Sequence, residues 1–232
     1  MLVDVIIPAL NEEESIASVI EGIPRQLIRR IVVVDNGSTD RTAERAISAG
    51  ADVVIEKTPG YGSAMRKGVE TLFSSPPEAV VFMDGDGSDN PSEMESLISP
   101  IREGRIDLVI GSRMRGRRER GALRPAQLLG NRLACFLLKG LYGEETTDLG
   151  PFRVIRWDAL MLLDMSDRAF GWTAEMQAKA GRARLRVLEV PVSYNRRLGK
   201  SKISGTLRGS YYAGRDILTT LWKLRRWSIN DK

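Results

Sequence analysis

The sequence predicts an α/β protein: a Rossmann-like, doubly wound and mostly parallel sheet with helices on both faces. Three observations carry this expectation. Short β-branched runs alternate with helical segments over the first 112 residues, the apolar runs are continuous, and acidic residues stand where those runs end. Continuous apolar runs suit strands buried on both faces, and such sheets bind ligands outside the carboxyl ends of their strands.

VDVIIP (3–8) is the first predicted strand, and Asn11 with Glu14 three residues on has the form of a capping box opening a helix to Ile23. RIVVVD (30–35) is the second strand, followed by GSTD and a helix that stops at Gly50. DVVI (52–55) is the third, and the turn PGYG (59–62) leads into a helix through Phe73. AVVFMD (79–84) reads as a fourth strand buried on both faces. Asn90, Pro91 and Glu93 then supply an N-cap, a proline at the first helical position and a capping partner. DLVIGS (107–112) is the fifth strand.

The second half is less regular. An arginine-rich loop (113–124) precedes an apolar helix (about 126–142), a turn GEETTDLG, a short strand (152–155) and a helix (157–163). TAEMQAKAG (173–181) is a capped helix, and RVLEVPV (186–192) is a strand that Pro191 assigns to an edge. The loop YNRRLGKSKIS runs into a last helix from about Thr206 to Trp227. With no repeat and no linker, one domain is expected over 1–205. The amphipathic segment 206–232 is either part of that domain or interfacial at a membrane.

Composition limits the chemistry. The 232 residues are 42% hydrophobic and 28% charged, as in soluble globular proteins. A single cysteine, Cys135, excludes a disulfide framework and fits a reducing cytoplasm. Histidine is absent, so any metal sits on oxygen and acid/base work falls to Asp, Glu, Lys or Tyr. A net charge of +5 points to anionic partners. The start, MLVDVIIPAL, lacks the basic region of a signal peptide, and no run reaches ~18 apolar residues. The expectation is a cytoplasmic protein, peripheral at the cytosolic membrane face.

The stretch VVFMDGDGSDNPSE sets Asp84, Asp86 and Asp89 within six residues at the end of a strand. Like charges that close repel, and a cation resolves the cluster. An EF-hand fails, because its sixth position must be Gly and is Asp89, and because a strand precedes it. A solvated turn is the plain alternative. Asp-x-Asp holding Mg2+ or Mn2+ against a diphosphate is the reading preferred here. GYGSAM (60–65) and GKS (199–201) both fail as phosphate-binding fingerprints, for want of the required glycines.

Six arginines lie between 113 and 124, without aromatic residues on which bases would stack, so nucleic acid is not the expected partner. Gly116 and Gly121 suggest a mobile lid over phosphates. Arg196 and Lys202 add phosphate-binding donors on RRLGKSK (196–202). The last helix puts Leu207, Tyr211, Ile217, Leu218, Leu221 and Trp222 on one face, bordered by Arg208, Arg215, Lys223 and Arg226. That pattern fits either core packing or a lipid interface. Glu175 reads as a helix-surface carboxylate or as a group near an acceptor.

PALNEE (8–13), VVDNGSTDRT (33–42), PGYGSAMRKG (59–68), MDGDGSDNP (83–91), VIGSR (109–113), DLGPFR (148–153) and EVPVSYNRRLGKSK (189–202) together resemble family 2 glycosyltransferases. Within them the chain is most similar to the dolichyl/polyprenyl-phosphate sugar synthases. The resemblance implies a GT-A fold, a nucleotide-sugar donor of the GDP-mannose or UDP-glucose class, a divalent cation and inversion at the anomeric carbon. It places Pro8, Leu10, Asn11, Glu12 and Asp35 at the nucleoside, with Gly60, Gly62 and Arg66 in the wall beside it. Asp84, Gly85 and Asp86 would face the metal and diphosphate. Ser88 stands where those synthases often carry a glutamine ligand, which makes it the third metal candidate. Arg113, Arg153, Arg196, Ser201 and Lys202 match positions near the donor and acceptor phosphates.

The implied reaction is transfer of a hexose to a polyprenyl phosphate, whose ionised oxygen needs positioning by arginines rather than a base. The rival is a hydroxyl acceptor, with Asp148 or Glu175 as the base.

Overall fold

The computed structural model describes residues 1–199 and 207–227. Among the described residues seven strands form one sheet: β1 (Val3–Ala9), β2 (Arg30–Asp35), β3 (Asp52–Ile55), β4 (Ala79–Phe82), β5 (Leu108–Ser112), β6 (Arg153–Arg156) and β7 (Val187–Pro191). Their order is β3-β2-β1-β4-β6-β5-β7, so β7 lies at an edge, as Pro191 predicts. All pairings are parallel except those of β6, which runs antiparallel between β4 and β5. Phe82 and Ile110 both pair with Arg153, so the chain enters β6 at the carboxyl edge of its neighbours.

The helices are α1 (Ile16–Gly22), α2 (Thr42–Ser48), α3 (Tyr61–Leu72), α4 (Met94–Arg102), α5 (Pro125–Tyr142), α6 (Trp157–Leu163), α7 (Trp172–Arg182) and α8 (Leu207–Leu224). One face of the sheet packs on α1, α2 and α4 through Ile16, Ile20, Leu97 and Ile98. The other packs on α3, α6 and α7 through Met65, Leu72, Leu160 and Trp172. All four residues of β4 are buried, as strands covered on both faces must be. A third cluster joins α5, α7 and α8: Leu221 is buried against Ala134, Leu138, Ala174 and Ala178. The outward side of the same layer is apolar, with Leu129, Phe136, Leu218 and Trp222 exposed.

Several local expectations change. Asn11 opens no helix: its φ is 52°, and its side-chain oxygen accepts from the Thr39 amide at 2.7 Å, so α1 starts only at Ile16. The strand 79–84 ends at Phe82, which leaves Asp84 in the loop. Asn90 does cap, accepting from the Ser92 amide, but Glu93 reaches across the fold to the amide and hydroxyl of Ser193. Gly116 is no hinge. A Cβ there would overlap the carbonyl of Val192, and the arginine-rich loop is paired to 192–196 through Glu119 N–H to Tyr194 O and Tyr194 N–H to Arg117 O, both 2.9 Å. The last helix is divided by packing, with Leu221 turned inward and Leu218 and Trp222 outward.

Gly60 and Gly62 are explained by close approach of the 167–169 segment. The amides of Gly62 and Ser63 donate to the carbonyls of Ala169 and Arg168, both at 3.0 Å, and a Cβ on Gly62 would overlap the Asp167 carbonyl. Gly62→Ala is therefore expected to cost about 1–3 kcal/mol in urea unfolding. Gly140→Ala, where a Cβ meets nothing within 4 Å on exposed α5, should be neutral or stabilising by up to about 1 kcal/mol.

Candidate active site

The ends of β1 and β4 and the start of α3 open onto a cavity of about 260 Å³, lined by Pro8, Ala9, Leu10, Glu12, Asn36, Gly60, Tyr61, Ala64, Asp84, Gly85, Asp86, Phe170 and Arg197. At its floor lies the acidic loop. Asp86 is 9% exposed and Asp89 2%. Burial, and next the charge of Asp86, raise the Asp84 carboxyl to about 7, although the Tyr61 hydroxyl, Arg113 and Arg197 pull it down. Burial and then the charges of Asp84 and Asp86 push Asp89 well above the usual carboxylate range. The Asp89 Oδ2 accepts from the Asp84 amide at 3.2 Å, while its Oδ1 is buried without a hydrogen-bond partner. The loop is short of positive charge.

That deficit is what a hard cation relieves. Among the described residues no three Asp, Glu, His or Cys side chains converge as a metal site. Two carboxylates with a substrate's phosphates completing the shell is the usual arrangement for Mg2+, so Asp84 and Asp86 fit a cation shared with a diphosphate. The Ser88 hydroxyl donates to Asp86 Oδ1 at 2.5 Å and its amide to the same oxygen at 2.9 Å, so Ser88 orients Asp86 while its hydroxyl oxygen keeps its lone pairs for a cation.

The antiparallel entry of β6 brings the 146–153 turn to the same edge. Asp148 is fully buried and accepts from Arg113 three times: from the amide and Nε on Oδ2, at 2.7 and 2.8 Å, and from Nη2 on Oδ1 at 2.7 Å. The Arg113 guanidinium also lies 5.0 Å over the Tyr194 ring. Arg153, fully buried, donates to the carbonyls of Gly150 and Thr173, and burial lowers its pKa to about 10. Arg196 donates to the Arg120 carbonyl and, through its amide, to Glu119 at 2.7 Å.

Glu175 is neither at the surface nor open to an acceptor. It is 1% exposed, pairs with Lys179 at 2.8 Å, and accepts from the amides of Ser166 and Asp167 and the Ser166 hydroxyl. It holds the segment that presses on Gly60 and Gly62.

Residues 4–161 match the model of the family described as glycosyl transferase family 2. The chain is a family 2 glycosyltransferase. It is 40% identical to an uncharacterised glycosyltransferase of Mycobacterium tuberculosis, over 96% of this chain and 97% of that one. To the undecaprenyl-phosphate mannosyltransferase of Micrococcus luteus it is 28% identical, over 98% and 96%. Among solved structures it resembles glucosyl-3-phosphoglycerate synthase of Mycobacterium tuberculosis, crystallised with Mn2+, UDP-glucose and phosphoglyceric acid. That match has a TM-score of 0.76 and 25% identity, and covers 97% of this chain and 79% of that one. The mixed α/β sheet of this glycosyltransferase matches that GT-A enzyme.

Of the residues expected at the donor, Pro8, Leu10, Glu12, Gly60, Asp84, Gly85 and Asp86 line the cavity. Asp35 ends β2 beside it and accepts from the Ser38 amide at 2.8 Å, and Asn11 braces the same turn. Arg66 turns away, onto a separate groove of about 480 Å³ between α3 and α6. Ser201 and Lys202 lie outside the described residues. Tyr61, Phe170 and Arg197 were missed. Tyr61 sits inside the PGYG motif and Arg197 inside EVPVSYNRRLGKSK, beside Arg196, whereas nothing local marks Phe170.

Asp148→Asn removes one charge from a buried, doubly bonded pair and should destabilise the fold by about 3–5 kcal/mol in urea unfolding. A base acting on a hydroxyl acceptor would instead show as a loss of kcat at unchanged stability.

Proposed function

We propose that this glycosyltransferase moves a hexose from a nucleoside-diphosphate sugar to a phosphate oxygen of a polyprenyl phosphate at a membrane surface. The observation that carries the acceptor class is that both candidate bases, Asp148 and Glu175, have their carboxylates occupied by buried ion pairs and hydrogen bonds. A hydroxyl nucleophile needs a base, whereas a phosphate oxyanion is already ionised and needs only placement.

In this reading Asp84 and Asp86 would hold Mg2+ or Mn2+ against the donor diphosphate, with Glu12 beside them, and the cation would supply charge stabilisation for the departing nucleoside diphosphate. Pro8, Leu10 and Asp35 hold the nucleoside. The acceptor oxygen attacks the anomeric carbon as the bond to the diphosphate breaks, with inversion. The electron pair leaves on the diphosphate, and no enzyme group exchanges a proton. Arg113, Arg196 and the exposed arginines of 115–124 draw the acceptor phosphate to the mouth of the site.

Lipid as the carrier of that phosphate is supported by α5 and α8. Leu129 is 70% exposed and Phe136 73%, Trp222 of α8 is 62% exposed, and Arg132, Lys139, Lys223 and Arg226 are exposed around them. Among the described residues no helix is long and apolar enough to cross a bilayer, so the attachment proposed is interfacial. The second reading, a small phosphorylated acceptor with a free hydroxyl, is favoured by the likeness to glucosyl-3-phosphoglycerate synthase.

The deciding assay offers polyprenyl phosphate and 3-phosphoglycerate in parallel with UDP-glucose and GDP-mannose. Transfer to the lipid supports the proposal, and transfer to phosphoglycerate alone overturns it. With the lipid acceptor at saturating Mn2+, the acidic limb of kcat/KM should follow the acceptor's second ionisation, near ~6 for a phosphate monoester. There is no histidine to titrate there; Asp84, raised to about 7 by burial and Asp86 in the absence of a cation, is the competing enzyme group only where Mn2+ does not saturate it. A phosphonate acceptor of higher second pKa separates the two, because only a limb set by the acceptor moves.

Replacing Leu129, Phe136 and Trp222 together by serine should leave Tm nearly unchanged, and it should abolish sedimentation with vesicles containing anionic lipid. Wild-type sedimentation should weaken as salt rises, because the basic border acts through a screened attraction.

A further inference from the structure

Arg197 belongs to none of the roles assigned above, yet it spans the donor cavity. Its Nη2 donates to Glu12 Oε1 at 2.6 Å, and its Nη1 lies 3.4 Å from Asp86 Oδ2, an ion pair at the outer limit of hydrogen bonding. The two carboxylates are 11% and 12% exposed at their side chains and the arginine 26%. One cation therefore bridges the loop after β1 and the loop after β4. The Leu198 amide, donating to the Asp86 carbonyl at 2.9 Å, fixes the backbone that carries it.

The guanidinium is poorly used where it stands. It has five N–H donors, and Nε is buried with no hydrogen-bond partner. A buried N–H left unpaired is costly, so this placement holds only while the carboxylates have nothing better. A divalent cation on Asp86 would lie close to the Nη1 position, where two like-signed charges repel. A diphosphate beside that cation is the acceptor whose geometry the arginine fork matches.

We propose that Arg197 is the resident counter-cation of the donor site. Before the donor arrives it neutralises Glu12 and Asp86. When cation and nucleoside diphosphate enter together, it cedes Asp86 to the metal and turns its fork onto the diphosphate. It is a positioning residue that makes metal and nucleotide bind as a pair: the metal alone must displace the arginine, and the diphosphate gives the arginine a new partner. By linkage, each then tightens the other by the same factor. This rests on the reading of Asp84 and Asp86 as the cation's carboxylates.

The experiment measures Mn2+ binding to the full chain by electron paramagnetic resonance of the free ion, alone and with saturating UDP or GDP. Arg197→Gln should bind Mn2+ alone about 5- to 10-fold more tightly than wild type, and lose most of the tightening that the nucleotide confers. Arg197→Lys keeps the charge without the fork. It should bind Mn2+ alone as wild type does and still lose part of the nucleotide effect. A merely structural arginine would give an Arg197→Gln variant that binds Mn2+ no better than wild type, and that result overturns the proposal. Asp86→Ala separates the underlying reading: if it keeps wild-type Mn2+ affinity, the assignment of the acidic loop fails, and the proposal with it.

Discussion

Three carboxylates in one buried loop are the constraint to which the rest of this site answers. Asp84, Asp86 and Asp89 cannot all be charged without help, and each neighbour supplies a share. Tyr61 donates its hydroxyl to Asp84 at 3.2 Å, Ser88 turns two donors onto Asp86, and Arg197 and Arg113 bring positive charge. Arg113 is itself held by Asp148, so the loop's electrostatics extend to the turn before β6. The remaining deficit is what the proposed divalent cation would meet.

The fold was legible because its signals are local. Apolar β-branched runs gave β1, β2 and β3 almost to the residue, and Pro191 located the edge strand. The acidic motif at the end of β4 was equally plain, since three aspartates so close have few explanations. Sequence signals failed where a side chain answers to a distant part of the chain. Asn11 has the residue type and spacing of a cap but is claimed by Thr39, and Glu93 is claimed by Ser193. Gly116 looked like a source of mobility and is a contact surface for Val192.

Glu175 shows the same limit from the other side. A lone acidic residue on a helix carries no mark of burial, and here the Lys179 one turn on and two backbone amides make it a tether. That tether fixes the 166–169 segment, which presses on the glycines at the start of α3, which in turn set Tyr61 above Asp84. The cavity beside the acidic loop is thus shaped from behind by a carboxylate that does not line it.

The position of β6 bears on how the chain reaches this state. β4 and β5 do not pair with each other, because β6, made some forty residues after β5, fills the space between them. A nascent chain that has just completed β5 therefore carries two interior strands whose facing edges are open. Such edges are templates for pairing with other chains until the missing strand arrives. Closing the sheet is a non-local event, and loop-closure entropy must be met before its hydrogen bonds form. The aspartates are all synthesised before that step, but Arg153 and the Asp148 partner of Arg113 come with it. The insertion of β6 and the completion of this side of the site are one event.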